Sequence, residues 1–243
     1  MTTIISSGCG QPKITNDTST DPSLCGEDSF FICAGKGCGV ADGVGGWNNV
    51  GVSPAFMSRQ LMLNCLELCV EDTTLDPKFI MMCAYNKIVD DKEVFAGSTT
   101  CSIILYDSKN SLLKCGKLGD SGYLIVRDSE ILVSNIDIRT YPEKRPDQIG
   151  IVPKMYAMDD DVKFDDFSIL EQYEYSVKIG DIIILGSDGL WDNMNPVNLL
   201  DHVRNFKSCD KLAEELVDCA TSAWLYPDDI TVVVSQIVEQ PDI

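Results

Sequence analysis

One histidine, 19 lysines and arginines together, and no apolar run of bilayer-spanning length are the first features of this 243-residue sequence. A spanning helix needs roughly 20 consecutive apolar residues, so membrane insertion is not expected. The shortage of base leaves a formal net charge of −19. A surface so acidic repels phosphate backbones, which argues against nucleic acid as a partner. Residues 1–21 have neither the basic start and apolar run of a secretory signal nor the Arg-rich character of a transit peptide. No Pro/Gly/Ser-rich linker, repeat or low-complexity segment divides the chain, so residues 1–243 are expected to form one domain.

Eleven cysteines are present, but no Cys-x-x-Cys pair or Cys/His cluster of the kind that binds zinc. Cys33, Cys65, Cys69, Cys83, Cys101, Cys115 and Cys219 lie inside apolar segments. They read as reduced, small, buried hydrophobes of an intracellular protein, cytoplasmic by default, and not as a disulfide framework.

Alternation and β-branched content predict strands over 30–34, 39–41, 99–106, 112–118, 123–127, 131–134, 173–178, 182–186 and 231–238. Short polar turns between several of them suit antiparallel hairpins. Two helices are predicted between the strands at 41 and 99. One is opened by Ser53-Pro54 and carries Met57, Leu61, Cys65 and Cys69 on one face; the other starts at Pro77 and carries Ile80, Cys83, Ala84 and Ile88. Two later helices follow Pro196 and span about 210–224, the second with Leu212, Leu216, Ala220 and Ala223 inward. Strands and helices come in runs and do not alternate, which indicates an α+β fold with antiparallel sheets. The stretch 135–170 lapses into Pro, Asp and Lys and reads as a surface excursion.

The informative carboxylates sit at strand ends, most beside glycine: Glu27-Asp28, Asp42-Gly43, Asp120, Asp188-Gly189 and Asp228-Asp229. An apolar strand fixes its terminal residue, and a following glycine allows a sharp turn and frees a carbonyl. Any single Asp-Gly is usually a turn. Five acidic strand ends, if brought together, would repel unless protonated or neutralised, and hard divalent cations such as Mg²⁺ or Mn²⁺ favour such oxygen cages.

The series Gly26-Glu27-Asp28, Val40-Ala41-Asp42-Gly43-Val44-Gly45-Gly46-Trp47, Gly97-Ser98-Thr99, Leu118-Gly119-Asp120-Ser121-Gly122, Ser187-Asp188-Gly189-Leu190-Trp191-Asp192 and Asp228-Asp229-Ile230-Thr231 resembles the metal-dependent (PPM, type 2C) serine/threonine protein phosphatases. The DGVGGW turn is most similar to the subgroup around T-cell activation phosphatase. The resemblance implies a four-layer α-β-β-α sandwich, two stacked antiparallel sheets flanked by helix pairs. It also implies two Mg²⁺ or Mn²⁺ ions and a weaker third, with a bridging water or hydroxide that attacks phosphoserine or phosphothreonine in protein substrates without a covalent enzyme intermediate. By motif, Asp42 resembles the bridging ligand and the Gly43 carbonyl a further one. Asp188 and Asp228 resemble direct ligands, Glu27 and Asp28 residues acting largely through metal-bound water, and Asp120 a ligand of the third ion. Asp229 stands where the family usually has Asn. The stretch 135–170 takes the place of the family's variable flap, and its acidic run Asp159-Asp160-Asp161 and Asp165-Asp166 reads as solvated charge. Relatives of similar motif type act in mitochondria or plastids.

Two departures stand out. Many members have His where this chain has Val44, and that His is assigned to protonating the leaving group; His202 reads as a surface or structural residue. The phosphate-binding Arg expected shortly before Glu27 is missing. Lys13, Lys36 and Arg59 are read as surface residues, with phosphate binding as the alternative for each. Trp47 and Trp191 read as braces of the metal-site turns. The alternative function is a catalytically weak or silent scaffold that binds phosphoproteins, and a third is a small-molecule phosphatase.

Overall fold

The computed structural model describes residues 1–14, 18–71, 76–92, 94–136, 146–156, 166–223 and 225–240. In chain order the strands and helices are β1 (Thr2–Gln11), β2 (Asp28–Cys33), β3 (Gly37–Asp42), α1 (Ala55–Glu71), α2 (Pro77–Asp91), β4 (Gly97–Thr99), β5 (Cys101–Asp107), β6 (Leu112–Leu118), β7 (Gly122–Arg127), β8 (Glu130–Asn135), β9 (Ile149–Ile151), β10 (Glu171–Ser176), β11 (Ile182–Gly186), α3 (Asp188–Trp191), α4 (Pro196–Arg204), α5 (Cys209–Ala223) and β12 (Ile230–Glu239). Two five-stranded antiparallel sheets result, in the orders β1-β12-β11-β7-β8 and β10-β6-β5-β3-β2, and β4 pairs with β9 in a two-stranded ribbon.

Period-2 alternation decides the layering. On β5, Cys101, Ile103 and Leu105 pack under α1 and α2, while Ile104 and Tyr106 point to the other sheet. On β11, Ile182 and Ile184 pack under α4 and α5, while Ile183 and Leu185 face inward. β12 repeats the pattern, with Val232 and Val234 outward and Val233 and Ile237 inward. Three apolar layers are therefore stacked between helix pair, sheet, sheet and helix pair, the expected four-layer sandwich.

The helices start as their sequences dictate. The Asp76 side chain accepts from the backbone N–H groups of Lys78 and Phe79 ahead of Pro77, and Asn195 accepts from Val197 ahead of Pro196. Met57, Leu61, Cys65 and Cys69 are wholly buried on α1, as are Ile80, Ala84 and Ile88 on α2. On α5, Leu212, Leu216 and Ala220 are buried, but Ala223 is exposed. All eleven cysteines are free thiols. Burial pushes Cys9 up to about 11 and Cys25 up to about 12, as expected of thiols that serve as small hydrophobes.

Strands β1 and β9 and the single-turn helix α3 were not predicted. β1 runs through residues read only for targeting signals, and pairs with β12 from Thr2 opposite Glu239 to Gln11 opposite Ile230. Its serines, threonines and glycines hide the strand, which is defined by its partner. β9 lies inside the 135–170 stretch, docked on β4, so that stretch is anchored and not solely a surface excursion. Asp159, Asp160, Asp161 and Asp165 lie outside the described residues; Asp166 caps a short turn by accepting from the Ser168 N–H.

Candidate metal centre

The five acidic strand ends meet at one end of the two sheets. Asp28 opens β2 directly opposite Asp42 at the close of β3. Across the sandwich, Gly186 at the end of β11 pairs with Gly122 of β7 and Val232 of β12. Asp188 leaves β11, Asp120 enters β7 and Asp228-Asp229 enters β12, and that pairing brings the three segments side by side. Asp42, Asp120 and Asp188 each present a carboxylate oxygen, and these atoms all lie within 4.8 Å of one another.

The electrostatics follow from crowding. Burial raises Asp42 well above the ordinary carboxylate range, and the charges of Asp188 and Asp28 raise it further. Asp28 is raised in the same way, first by burial and then by Asp229. Burial, with Asp120 and Asp228 nearby, pushes Asp188 up to about 7. Asp28 Oδ2 and Asp188 Oδ1 are buried without a hydrogen-bond partner among the described residues. Orphaned carboxylate oxygens are costly. Close oxygens of this kind, short of donors, fit hard divalent cations, and the donor set contains neither thiolate nor imidazole.

The surrounding residues hold this geometry. Thr99 Oγ1 donates to the Asp42 carbonyl at 2.7 Å, and the Asp42 N–H donates to Thr100 Oγ1 at 3.1 Å. Thr100 Oγ1 is in turn 2.8 Å from Ser121 Oγ, next to Asp120. The Gly43 N–H donates to the Glu27 carbonyl at 3.2 Å. Trp47 Nε1 donates to Ser98 Oγ at 2.7 Å and Trp191 Nε1 to the Gly186 carbonyl at 2.9 Å, so both tryptophans brace the turns. Thr100 and Ser121 were missed as supports; their adjacency to the Gly97-Ser98-Thr99 and Asp120 motifs was the available signal.

Asp228 and Asp229 play different parts. The Asp228 side chain is 41% exposed, whereas that of Asp229 is 3% exposed. Asp229 Oδ1 accepts the Lys13 N–H at 2.7 Å and Oδ2 the Glu27 N–H at 2.9 Å. It is a brace joining the exit of β1 to the entrance of β2. Burial raises Asp229 despite these bonds.

Of the three basic candidates, Lys13 is not a free surface residue. Its Nζ lies 2.9 Å from Glu27 Oε2, 3.0 Å from Asp228 Oδ1 and 3.7 Å from Asp229 Oδ2. Burial pulls its pKa down, but the hydrogen bond to Glu27 and the charge of Asp228 outweigh this and raise it above the ordinary lysine value. Lys36 Nζ donates to the Cys69 and Val70 carbonyls at 2.8 Å each, capping α1. Arg59 donates to the Gly26 carbonyl at 2.9 Å. His202 pairs with Glu215 at 2.7 Å between α4 and α5, in the structural place expected for it.

Comparisons with known proteins bear on the family and the fold. The family model described as Stage II sporulation protein E (SpoIIE) matches residues 39–238. The protein phosphatase PTC7 homolog of Danio rerio is 30% identical over 249 residues, 89% of this chain and 83% of that protein. The protein phosphatase 2C homolog 7, mitochondrial, of Saccharomyces cerevisiae is 33% identical over 188 residues, 71% of this chain and 54% of that one. Among solved structures, the photosystem II phosphatase PBCP superposes with a TM-score of 0.74 at 23% identity, covering 96% of this chain and 98% of its own. The catalytic domain of the serine threonine protein phosphatase PstP, in complex with two manganese ions, gives 0.71 at 17% identity, covering 98% and 100%. Family model, relatives and sandwich together show that this chain belongs to the PP2C (PPM) family of protein phosphatases.

Proposed function

We propose that this chain hydrolyses phosphoserine and phosphothreonine in proteins with the help of divalent cations, Mg²⁺ or Mn²⁺. The observation that carries the reading is the convergence of Asp42, Asp120 and Asp188 oxygens within 4.8 Å of one another. Asp42, the Gly43 carbonyl, Asp188 and Asp228 would hold two ions directly, Glu27 and Asp28 would act through water, and Asp120 would serve a weaker third. Asp229, with both oxygens on backbone donors, is assigned to positioning instead. Bound there, divalent cations supply Lewis-acid stabilisation of the phosphoryl oxygens and a water activated for attack.

The chain's own residues do the rest. The β2–β3 ladder holds Asp28 against Asp42, and Thr99 and Thr100 fix the Asp42 backbone, so the oxygens are set before substrate arrives. Val44 offers no proton for the leaving oxygen. General acid catalysis is worth about 10²–10⁴-fold, so turnover should be modest. Residues 1–243 are read as one phosphatase domain acting on intracellular phosphoproteins. Its DGVGGW turn resembles that of the subgroup around T-cell activation phosphatase.

The test is hydrolysis of a phosphothreonine peptide with Mn²⁺ or Mg²⁺. EDTA should abolish it, and Asp42→Asn or Asp188→Asn should cost about thousandfold or more. Calorimetry that shows phosphopeptide binding without turnover under any divalent ion would establish the silent-scaffold reading in its place. Rates on free phosphometabolites that exceed those on phosphopeptides would point to a small-molecule phosphatase.

A further inference from the structure

Past Gln11 the chain turns away from β12, and the turn is fixed by the Lys13 N–H on Asp229 Oδ1 at 2.7 Å. This anchor aims the Lys13 side chain back over the acidic site. Its ammonium then serves three carboxylates from two distant segments: Glu27 at 2.9 Å, Asp228 at 3.0 Å and Asp229 at 3.7 Å. Glu27 is held in place for this contact by Asn48, whose Nδ2 donates to Oε1 at 2.5 Å. An ammonium is a compact point charge with three donors. Like a hard cation, it draws several oxygens to itself, and here it does so from inside the chain. The Glu27–Asp228 end of the site thus carries its own counter-charge.

We propose that Lys13 is a tethered counter-ion, which neutralises the Glu27–Asp228 end of the acidic site when no divalent cation is bound there and is displaced from Asp228 when one binds. The inference rests on the reading of Asp228 as a metal ligand given above. Asp228 Oδ1 already accepts the Asp229 N–H at 2.9 Å besides the ammonium, so both acceptor sites of that oxygen are taken while Lys13 stays. A divalent ion on Asp228 would also stand next to a like charge in a partly buried site. The backbone anchor to Asp229 does not have to break, because the four-carbon stem alone can swing outward. Cation binding at this end then competes with an internal occupant.

Mn²⁺ binding to the metal-free full chain, followed by isothermal titration calorimetry, separates this role from simple support. Lys13→Met keeps most of the length of the side chain and removes the charge. It should bind Mn²⁺ about tenfold more tightly, the scale of an ordinary coupling between two sites, and melt at a lower temperature without metal. A residue that merely supports the site would weaken Mn²⁺ binding when removed. Lys13→Arg, which retains the charge, should stay close to the wild type. On the wild-type chain, acylation by acetic anhydride mapped by mass spectrometry gives a readout that needs no variant. Lys13 should be protected in EDTA and become several-fold more reactive with saturating Mn²⁺, while exposed Lys109 stays constant. Unchanged or weaker Mn²⁺ affinity in Lys13→Met overturns the proposal, and so does a Lys13 that remains protected at saturating Mn²⁺. Absence of any Mn²⁺ heat in the wild type would overturn the metal reading as well, whereas wild-type binding with an indifferent variant overturns the role of Lys13 alone.

Discussion

The main-chain carbonyl of Asp229 lies where a Cβ on residue 189 would have to stand, so it takes a glycine at this position for α3 to approach the start of β12. Asp188 and Asp228 owe their proximity to that approach. Gly189→Ala should push the two segments apart, at a cost of about 1–3 kcal/mol in stability, the usual scale of overpacking. Urea unfolding measures the stability, and Mn²⁺-dependent phosphopeptide hydrolysis should fall with it.

Asp229 works through its bonds to backbone. An Asn in its place keeps the shape but turns an amide NH₂ toward one of the N–H donors of Lys13 or Glu27. Asp229→Asn should therefore destabilise the fold by about 1–3 kcal/mol. Asp42→Asn removes a crowded like charge instead, so its metal-free melting temperature should hold or rise while its activity is lost. Thermal melts in EDTA beside activity assays distinguish the positioning residue from the ligand.

The raised carboxylates fix the sign of a pH effect. Unfolded aspartates titrate near about 3.9, whereas burial and the neighbouring carboxylates lift Asp188 to about 7 and Asp28 and Asp42 well above the ordinary range. The folded, metal-free chain therefore binds more protons than the unfolded one in that window. The contribution of Asp188 to stability is complete below about pH 4 and lost as pH rises through about 7. Melts of metal-free protein at pH 5 and pH 8 should show a larger loss for the wild type than for Asp188→Asn. Mn²⁺, which needs ionised ligands, should raise the melting temperature more at pH 8 than at pH 5.

Ser98 is wholly buried, accepting from Trp47 Nε1 at 2.7 Å and donating to Gln148 Oε1 at 2.8 Å. Ser98→Ala would strand both partners and should cost about 1–3 kcal/mol by urea unfolding. Because Trp47 closes the turn that follows Asp42-Gly43, Mn²⁺ affinity measured by calorimetry should weaken too.

His202 supplies the control. It pairs with Glu215 between the outer helices α4 and α5. His202→Ala should leave turnover unchanged and alter stability by about 1 kcal/mol or less, the scale of a partly exposed side-chain pair. A large drop in kcat would mean that a catalytic imidazole had been overlooked.

Local pattern was enough for most of the framework. The bounds of β6 and β11, the proline-opened α2 and α4 and the buried stripe of α1 all follow from periodicity and caps, which act within a few residues. The acidic strand ends were legible for the same reason, since a strand fixes its own last residue. Other features lie beyond the reach of local sequence. β1 is a strand because β12 pairs with it more than two hundred residues later. Asp229 became a brace because the exit of β1 and the entrance of β2 bring the Lys13 and Glu27 N–H groups to it, while its neighbour Asp228 stayed more exposed. Lys13 was read as a surface lysine, and the sequence placed no carboxylate next to it. Only the folding of β1 against β12 and of β2 beside them brings Glu27 and Asp228 to its ammonium. Charge and periodicity are written along the chain, but which charges become neighbours depends on the packing of distant segments.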